Sequence, residues 1–407
     1  LKAVVNTNAL ELGIDIGSLD LALIHGFPGS IASVWQQVGR AGRRNSISAA
    51  VIIPSGLSID QFLAGNPGWL LGASPETARI DPLNPYIMLE HIKCAVFELP
   101  FRANETFGGQ NITDILEFLS AHGMLDAFGN SDTRTYSWNS DNYPAASFSI
   151  RSASGEKYDI YDVTSKQKPM LIGTMDKHSA SALIFPGAVY FHNGESYSVR
   201  EIDSENKRCF VERSLSQTFT EAKVHVRTNI VRCEEGRGLF AWGETKVSAS
   251  AGMYKVIDIS TRKTVGHGTV DLPEDRIDTT SLWITMPEKA RSRPGLMPAM
   301  EGLAYLLKNL APLFLMCDSS DIYVSTALSE PTLKQPALFL SDAIPGGVGL
   351  AEGAYDSIRS ILMACREQLD SCRCSDGCPS CIGTVNSGIK AKDLTGKLLD
   401  DIRNSND

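Results

Sequence analysis

Four cysteines, Cys372, Cys374, Cys378 and Cys381, follow one another in the spacing C-x-C-x3-C-x2-C. No other stretch restricts the fold as much. Thiolates are preferred zinc ligands, and four of them close a tetrahedral structural site with no open position for chemistry. Gly377 ahead of Cys378-Pro379-Ser380-Cys381 predicts a tight knuckle whose amides bond the sulfurs. Four thiolates also suit an iron–sulfur cluster, and free buried thiols are a third reading. The remaining cysteines, Cys94, Cys209, Cys233, Cys317 and Cys365, are scattered. An odd total of nine without a secretion signal argues against a disulfide framework and for a reducing, cytoplasmic setting.

Two stretches near the start carry a different chemistry. The first runs from Thr7 through Gly13 and Asp15 to Gly17, and the second is Gln36-Gln37-Val38-Gly39-Arg40-Ala41-Gly42-Arg43-Arg44. A threonine at a strand end offers hydroxyl and amide to a phosphate. A glycine admits close backbone approach, and an aspartate accepts a ribose hydroxyl. Two arginines three apart, bracketed by glycines, can face one pocket and offset charge building on a transferred phosphoryl group.

In order and spacing these stretches resemble motifs V and VI of superfamily 2 helicases. The resemblance implies that Gln36, Arg40 and Arg43 face ATP, that Gly13 and Asp15 contact the nucleotide, and that Thr7 contacts the nucleic-acid backbone. The chain has no Walker-type phosphate loop, since its Gly396-Lys397 pair is followed by Leu398, and it has no Asp-Glu dipeptide to hold magnesium. The start at Leu1, without an initiator Met, reads as the interior of a domain. The expectation is therefore a truncated motor, inactive alone, whose site for ATP and Mg is completed by an N-terminal RecA-like domain outside this chain.

A net charge of −9 excludes nucleic-acid binding by bulk charge. A motor that grips the backbone through few, placed contacts is compatible with it. No apolar stretch is long enough to predict a membrane span.

Apolar runs at Ala3–Val5, Leu21–Ile24 and Ala49–Ile53 predict strands buried on both faces of a parallel sheet, with a helix from Ser33 to Val38. The Gly- and Pro-rich stretch 61–83 reads as a linker or domain edge. Helices at Tyr86–Glu98 and Thr113–His122, then strands near Tyr136–Trp138 and Phe148–Ile150, give the order of a winged-helix module. Alternating residues over 145–230 predict β structure, with a hairpin turn at Asn193-Gly194. Helices are expected again at Met300–Leu313 and Leu350–Asp370. The predicted fold class is α/β and α+β multidomain. Residues 1–64 are the C-terminal part of a second RecA-like helicase domain, 65–150 a winged-helix-like module, 151–230 a β-rich subdomain, and 231–407 an accessory domain with the four-cysteine zinc site.

Asn84-Pro85, Glu90-His91-Ile92-Lys93-Cys94-Ala95, Pro186–Tyr190, Gly194–Tyr197, Gly346–Leu350 and the cysteine-rich end are together similar to the MrfA (mitomycin repair factor A) type of helicase. That resemblance implies an ATP-dependent DNA helicase of 3′-to-5′ polarity, linked to interstrand-crosslink repair and acting on single strands and duplex junctions. It also implies a zinc-bearing domain packed on the motor. A defence-associated or RNA-directed helicase, and a non-enzymatic zinc module that recruits partners, are the competing readings.

Three further features each have two readings. The run Asp342–Gly349 is either a loop that meets a phosphate backbone through its amides or a tight turn between a strand and a helix. Tyr190, Phe191, His192 and Tyr197 either stack on bases or fill a core. Trp138 is a candidate strand-separating wedge that the sequence does not favour.

Overall fold

The helix Leu296–Leu315 is apolar nearly all round and is the axis of the first part of the fold. Leu303, Leu306, Leu307 and Leu310 are fully buried, as a helix hydrophobic on every side must be. The computed structural model describes residues 3–8, 11, 19–42, 47–75, 80–130, 133–146, 157–165, 168–261, 263–270, 274–383 and 390–405. Gly13, Asp15 and Arg43 lie outside the described residues, as does the expected strand at Phe148–Ile150. The chain forms two compact units, 1–80 with 227–247 and 278–407, and 81–226 with 248–277.

In the first unit, helices Leu350–Ser371 and Ala391–Asn404 pack on Leu296–Leu315. The strand Ala337–Asp342 is buried at all its positions. It pairs antiparallel with Ile322–Ala327 on one side and with Asp275–Thr285 on the other. Such a central strand reads as a continuous apolar run, here Ala-Leu-Phe-Leu. Its buried polar end is satisfied by a ladder of hydroxyls. Thr245 meets Ser281 at 2.6 Å, Ser281 donates to Ser341 at 2.7 Å, and Thr228 meets Ser325 at 3.0 Å.

The start of the unit holds two parallel strands, Leu21–His25 and Ala49–Ile53, joined through the helix Ile31–Val38. Two expectations fail here. Ala3–Val5 forms no strand and Val5 is fully exposed. The two strands are also not buried on both faces, since Leu23 is 62% and Val51 45% exposed. Nothing among the described residues covers these faces, so the apolar run alone does not secure burial.

The stretch expected as a linker or domain edge is helical in its first part, with Ser58–Gly65 followed by Pro67–Gly72, and the division between the two units falls near its end, after residue 80. Pro67 stands in the first turn of the second helix, where a missing N–H costs nothing. Phe62, Leu63 and Leu70 are buried in the same core as Leu296–Leu315.

The second unit begins with the winged-helix arrangement. Asn84 caps Pro85–Glu98 by accepting from the amides of Tyr86 and Ile87. This helix and Thr113–Ala121 bury Ile92, Val96, Leu116 and Leu119 against Leu125 and Tyr136 of a small three-stranded sheet. Trp138 is part of that packing, and its indole N–H donates to the Asn142 carbonyl at 3.1 Å.

A five-stranded sheet follows, in the order Val189–His192, Glu195–Asp203, Arg208–Ser214, Lys157–Asp162, Met170–Asp176. Asn193 and Gly194 both take positive φ, 51° and 81°, which is the two-residue hairpin turn that Asn-Gly predicts. Tyr197 is buried with Ile160, Val199 and Val211, and Tyr190 packs against that cluster. These two aromatics are core, while Phe191 remains exposed.

The Pro345–Gly349 loop proves to be a turn. The amides of Val348 and Leu350 point inward and donate to Asp342 Oδ2 at 2.7 and 3.3 Å, and the Thr280 hydroxyl joins them at 3.3 Å. A Cβ on Gly347 would lie 2.5 Å from Thr280 Oγ1, so the loop cannot carry a side chain there. Burial pushes the Asp342 carboxyl up to about 6, although these hydrogen bonds oppose the shift. A raised carboxyl contributes stability that is complete below its unfolded value and is lost as pH rises through its folded value. Stability is therefore expected to decline between about pH 4 and pH 6–7, by about 3 kcal/mol at most. In Asp342→Asn, chemical unfolding across that range should lose this slope; an unchanged slope would contradict the assignment.

Candidate metal centre and arginine-bearing loop

The helix Leu350–Ser371 delivers Cys372 as its C-terminal cap, where the chain turns extended. Gly377, at φ 142°, then lets the chain reverse, and a Cβ there would strike Ile382 at 2.8 Å. The reversal brings the four thiols together. Cys372 and Cys378 sulfurs are 3.5 Å apart, Cys374 and Cys381 3.4 Å, and Cys378 and Cys381 3.8 Å. All four lie within 4.8 Å of one another. Zinc at about 2.3 Å from each sulfur requires tetrahedral edges of about 3.8 Å, so the donor set fits the ion. The Cys378 amide points at the Cys381 sulfur at 3.4 Å, the contact expected of a knuckle.

In the thiol form, burial pushes Cys381 and Cys374 up. Burial acts on Cys378 in the same sense, but hydrogen bonds from Cys372, the Ser380 amide and the other two thiols bring it down to about 7. The ammonium of Lys392 donates to the carbonyls of Cys372 and, at 3.0 Å, Cys374. It thereby sets a positive charge beside a site that would be anionic when loaded. Cys365 is buried in the neighbouring core, where burial pushes its thiol up, and it takes no part in the cluster.

The knuckle is fastened to the start of the chain. The fully buried Ser58 hydroxyl lies 3.1 Å from the Cys381 carbonyl and 3.2 Å from that of Pro379. Ser380 returns a bond from its hydroxyl to the Gly56 carbonyl at 3.0 Å. Tyr305 donates to Pro379 at 2.7 Å and Gln368 to the Ser380 carbonyl at 2.6 Å. Two residues along the Ser58 helix, buried Asp60 accepts from the amides of Phe27 and Ser55, each at 2.7 Å. Those amides follow the two parallel strands, so one short helix grips the strand ends and the metal knuckle together.

Between those strands, Ser30 caps the helix Ile31–Val38 by accepting from the Ser33 amide. Ile31 and Val34 face the core, and Gln36 is exposed on the other side. The chain leaves the helix through Gly39 to Arg40, whose Nη2 donates to the Glu11 carbonyl at 2.6 Å. Arg40 is thus drawn to the Thr7–Gly17 stretch, in which Thr7 is exposed. Sequence patterns did not reveal Ser58, Asp60, Tyr305, Gln368, Lys392 or Glu11. Each acts across a distance in the chain that no local motif spans.

Comparison with known proteins agrees with this division of labour. Residues 1–45 match the helicase conserved C-terminal domain, 80–153 the winged helix domain of the ATP-dependent helicase HRQ1, and 303–382 the MrfA Zn-binding domain. Over 97% of its length the chain is similar to a solved DUF1998 helicase MrfA bound to DNA, at 36% identity and TM-score 0.59, covering 53% of that chain. A second MrfA structure gives TM-score 0.66 at 32% identity, over 96% of this chain and 56% of that one. Along nearly its whole length the chain is thus similar to MrfA helicases.

Curated proteins similar to the chain include the ATP-dependent helicase YprA of Bacillus subtilis (strain 168), 37% identical over 98% of this chain and 54% of its own length. The helicase hrq1 of Schizosaccharomyces pombe is 28% identical over 99% of this chain and 39% of its own length. The chain thus spans about half the length, or less, of the curated MrfA-type relatives it matches. No described helix is long and apolar enough to cross a membrane. The family match and the four-thiol geometry both support zinc.

Two measurements test the centre. The purified chain should hold one zinc per molecule, and Cys374→Ser should lose it; stoichiometric iron would assign a cluster instead. Ser58→Ala should keep the zinc yet lower stability by about 1–2 kcal/mol, because the buried Cys381 carbonyl loses its donor. Unchanged melting would refute the fastening.

Proposed function

We propose that this chain is the arginine-bearing part of an ATP-driven DNA helicase motor, together with its accessory region. The observation that carries the reading is the bond between Arg40 and the Thr7–Gly17 stretch, within the segment that matches a helicase C-terminal domain. In this reading residues 1–64 belong to the second RecA-like domain, 65–150 to the winged-helix module, 151–230 to a β-rich subdomain and 231–407 to the zinc-bearing accessory domain.

Arg40 and Arg43 face the triphosphate of ATP and offset charge on the transferred phosphoryl group, the role of arginine fingers in nucleotide hydrolysis. Gln36, Gly13 and Asp15 contact the nucleotide, and Thr7 contacts the DNA backbone. Triphosphate and Mg are held chiefly by the partner RecA-like domain outside this chain. The zinc held by Cys372, Cys374, Cys378 and Cys381 has a structural role. DNA, as single strand and duplex junction, is the partner, as the MrfA structures bound to DNA suggest. The motor tracks in the 3′-to-5′ direction and serves DNA repair, with interstrand crosslinks the leading lesion.

The full-length protein should hydrolyse ATP in the presence of single-stranded DNA and unwind duplexes with a 3′ overhang. Arg40→Ala should lower kcat roughly a thousandfold, and the 407-residue chain alone should be inactive. ATPase activity of this chain alone, abolished by Arg40→Ala, would overturn the divided site. Preference for an RNA loading strand would overturn the substrate.

A further inference from the structure

Three bonds converge on Glu11. Its Oε1 accepts from the Ser33 hydroxyl at 2.7 Å, its Oε2 from the Gln37 amide at 3.1 Å, and its backbone carbonyl from Arg40 Nη2 at 2.6 Å. Ser33, Gln37 and Arg40 stand at i, i+4 and i+7, so they lie on one line along the helix Ile31–Val38 and its exit. Glu11 sits between Thr7, the residue read as touching DNA, and Gly13 and Asp15, read as touching nucleotide. The carboxylate therefore grips two turns of the helix, while the same residue's carbonyl holds the arginine beyond its end.

We infer that Glu11 is a positioning residue that ties the nucleic-acid-reading stretch to Arg40, so that DNA engaged at Thr7 sets the arginine for hydrolysis. The inference rests on the motor reading above. In this reading Glu11 is in contact with neither DNA nor nucleotide. It acts through the helix, and two features make the geometry specific. Both carboxylate oxygens are used, each by a separate residue. The third bond runs from the arginine to the backbone of the same residue, so any shift of the stretch displaces Arg40 directly.

The chemistry predicts an unusual tolerance. In Glu11→Gln the new carbonyl oxygen still accepts from Ser33. The new NH2 donates to Gln37 once the Gln37 amide turns over, since each amide carries both donor and acceptor. Charge is lost and both bonds survive. In Glu11→Ala both are gone.

The test uses the full-length protein with and without single-stranded DNA. Glu11→Ala should lower the DNA-stimulated kcat for ATP about tenfold, leave KM for ATP and the DNA-free rate near wild type, and leave zinc content unchanged. Glu11→Gln should stay within about twofold of wild type. Hydrogen exchange on the same variants reads the bonds without activity: amides of Ile31–Val38 should lose protection in Glu11→Ala and keep it in Glu11→Gln. Wild-type behaviour of Glu11→Ala overturns the inference, and so does a Glu11→Gln defect as large as that of Glu11→Ala, which would indicate charge rather than geometry. A wild-type protein without ATPase activity would overturn the motor reading itself, and hydrogen exchange would still decide whether Glu11 holds the helix.

Discussion

One buried hydroxyl, that of Ser58, is the hinge on which the first unit depends. It has little energy of its own, since a neutral hydrogen bond contributes about 1 kcal/mol net. Its importance is positional. On one side are the carbonyls of the cysteine knuckle, and on the other the helix whose Asp60 holds the ends of both parallel strands. A tetrathiolate site is stiff when loaded, and it transmits that stiffness through whatever its carbonyls touch. Here they touch the helicase-like segment. The four-cysteine knuckle is thus tied, through Ser58 and Asp60, to the ends of the strands that flank the helix Ile31–Val38.

In the proposed motor reading, this arrangement accounts for how an acidic chain could engage nucleic acid. At a net charge of −9 it cannot rely on diffuse attraction. It depends on placing a few groups well, and placement needs a rigid frame. The buried helix Leu296–Leu315, the strand Ala337–Asp342 and the hydroxyl ladder beside it form that frame. Asp342 shows the same economy. Its carboxylate closes the loop ahead of the Leu350–Ser371 helix, and that helix then presents Cys372 at its far end.

The sequence made much of this legible where the signal is local and periodic. The two long helices of the first unit, the Asn193-Gly194 hairpin, the capped helix after Asn84 and the cysteine knuckle could all be read directly, because each depends on neighbours in the chain. The stretch 61–83 misled in part: the two units do divide after residue 80, but its glycines and prolines also suggest a linker where helices form. Pro67 is tolerated in a first helical turn, and Phe62 and Leu70 are drawn into a core formed by residues more than two hundred positions away. Ala3–Val5 misled in the opposite sense. A β-prone run is a strand only when something pairs with it. Ser58, Lys392 and Glu11 have no signature at all, because an isolated serine, lysine or glutamate acquires meaning only from what the fold sets beside it.

The bond from Ser58 to Cys381 also has a consequence for synthesis. It joins residues 323 positions apart, and Lys392 must arrive later still to close over the knuckle. Contacts of such separation form late, after much entropy has been spent on loop closure. While the chain emerges from the ribosome, Phe62, Leu63 and Leu70 must wait uncovered for the core around Leu296–Leu315 to be made. The clasp between the two ends of this unit is therefore among its last contacts to form, although the four thiols themselves lie within ten residues of one another.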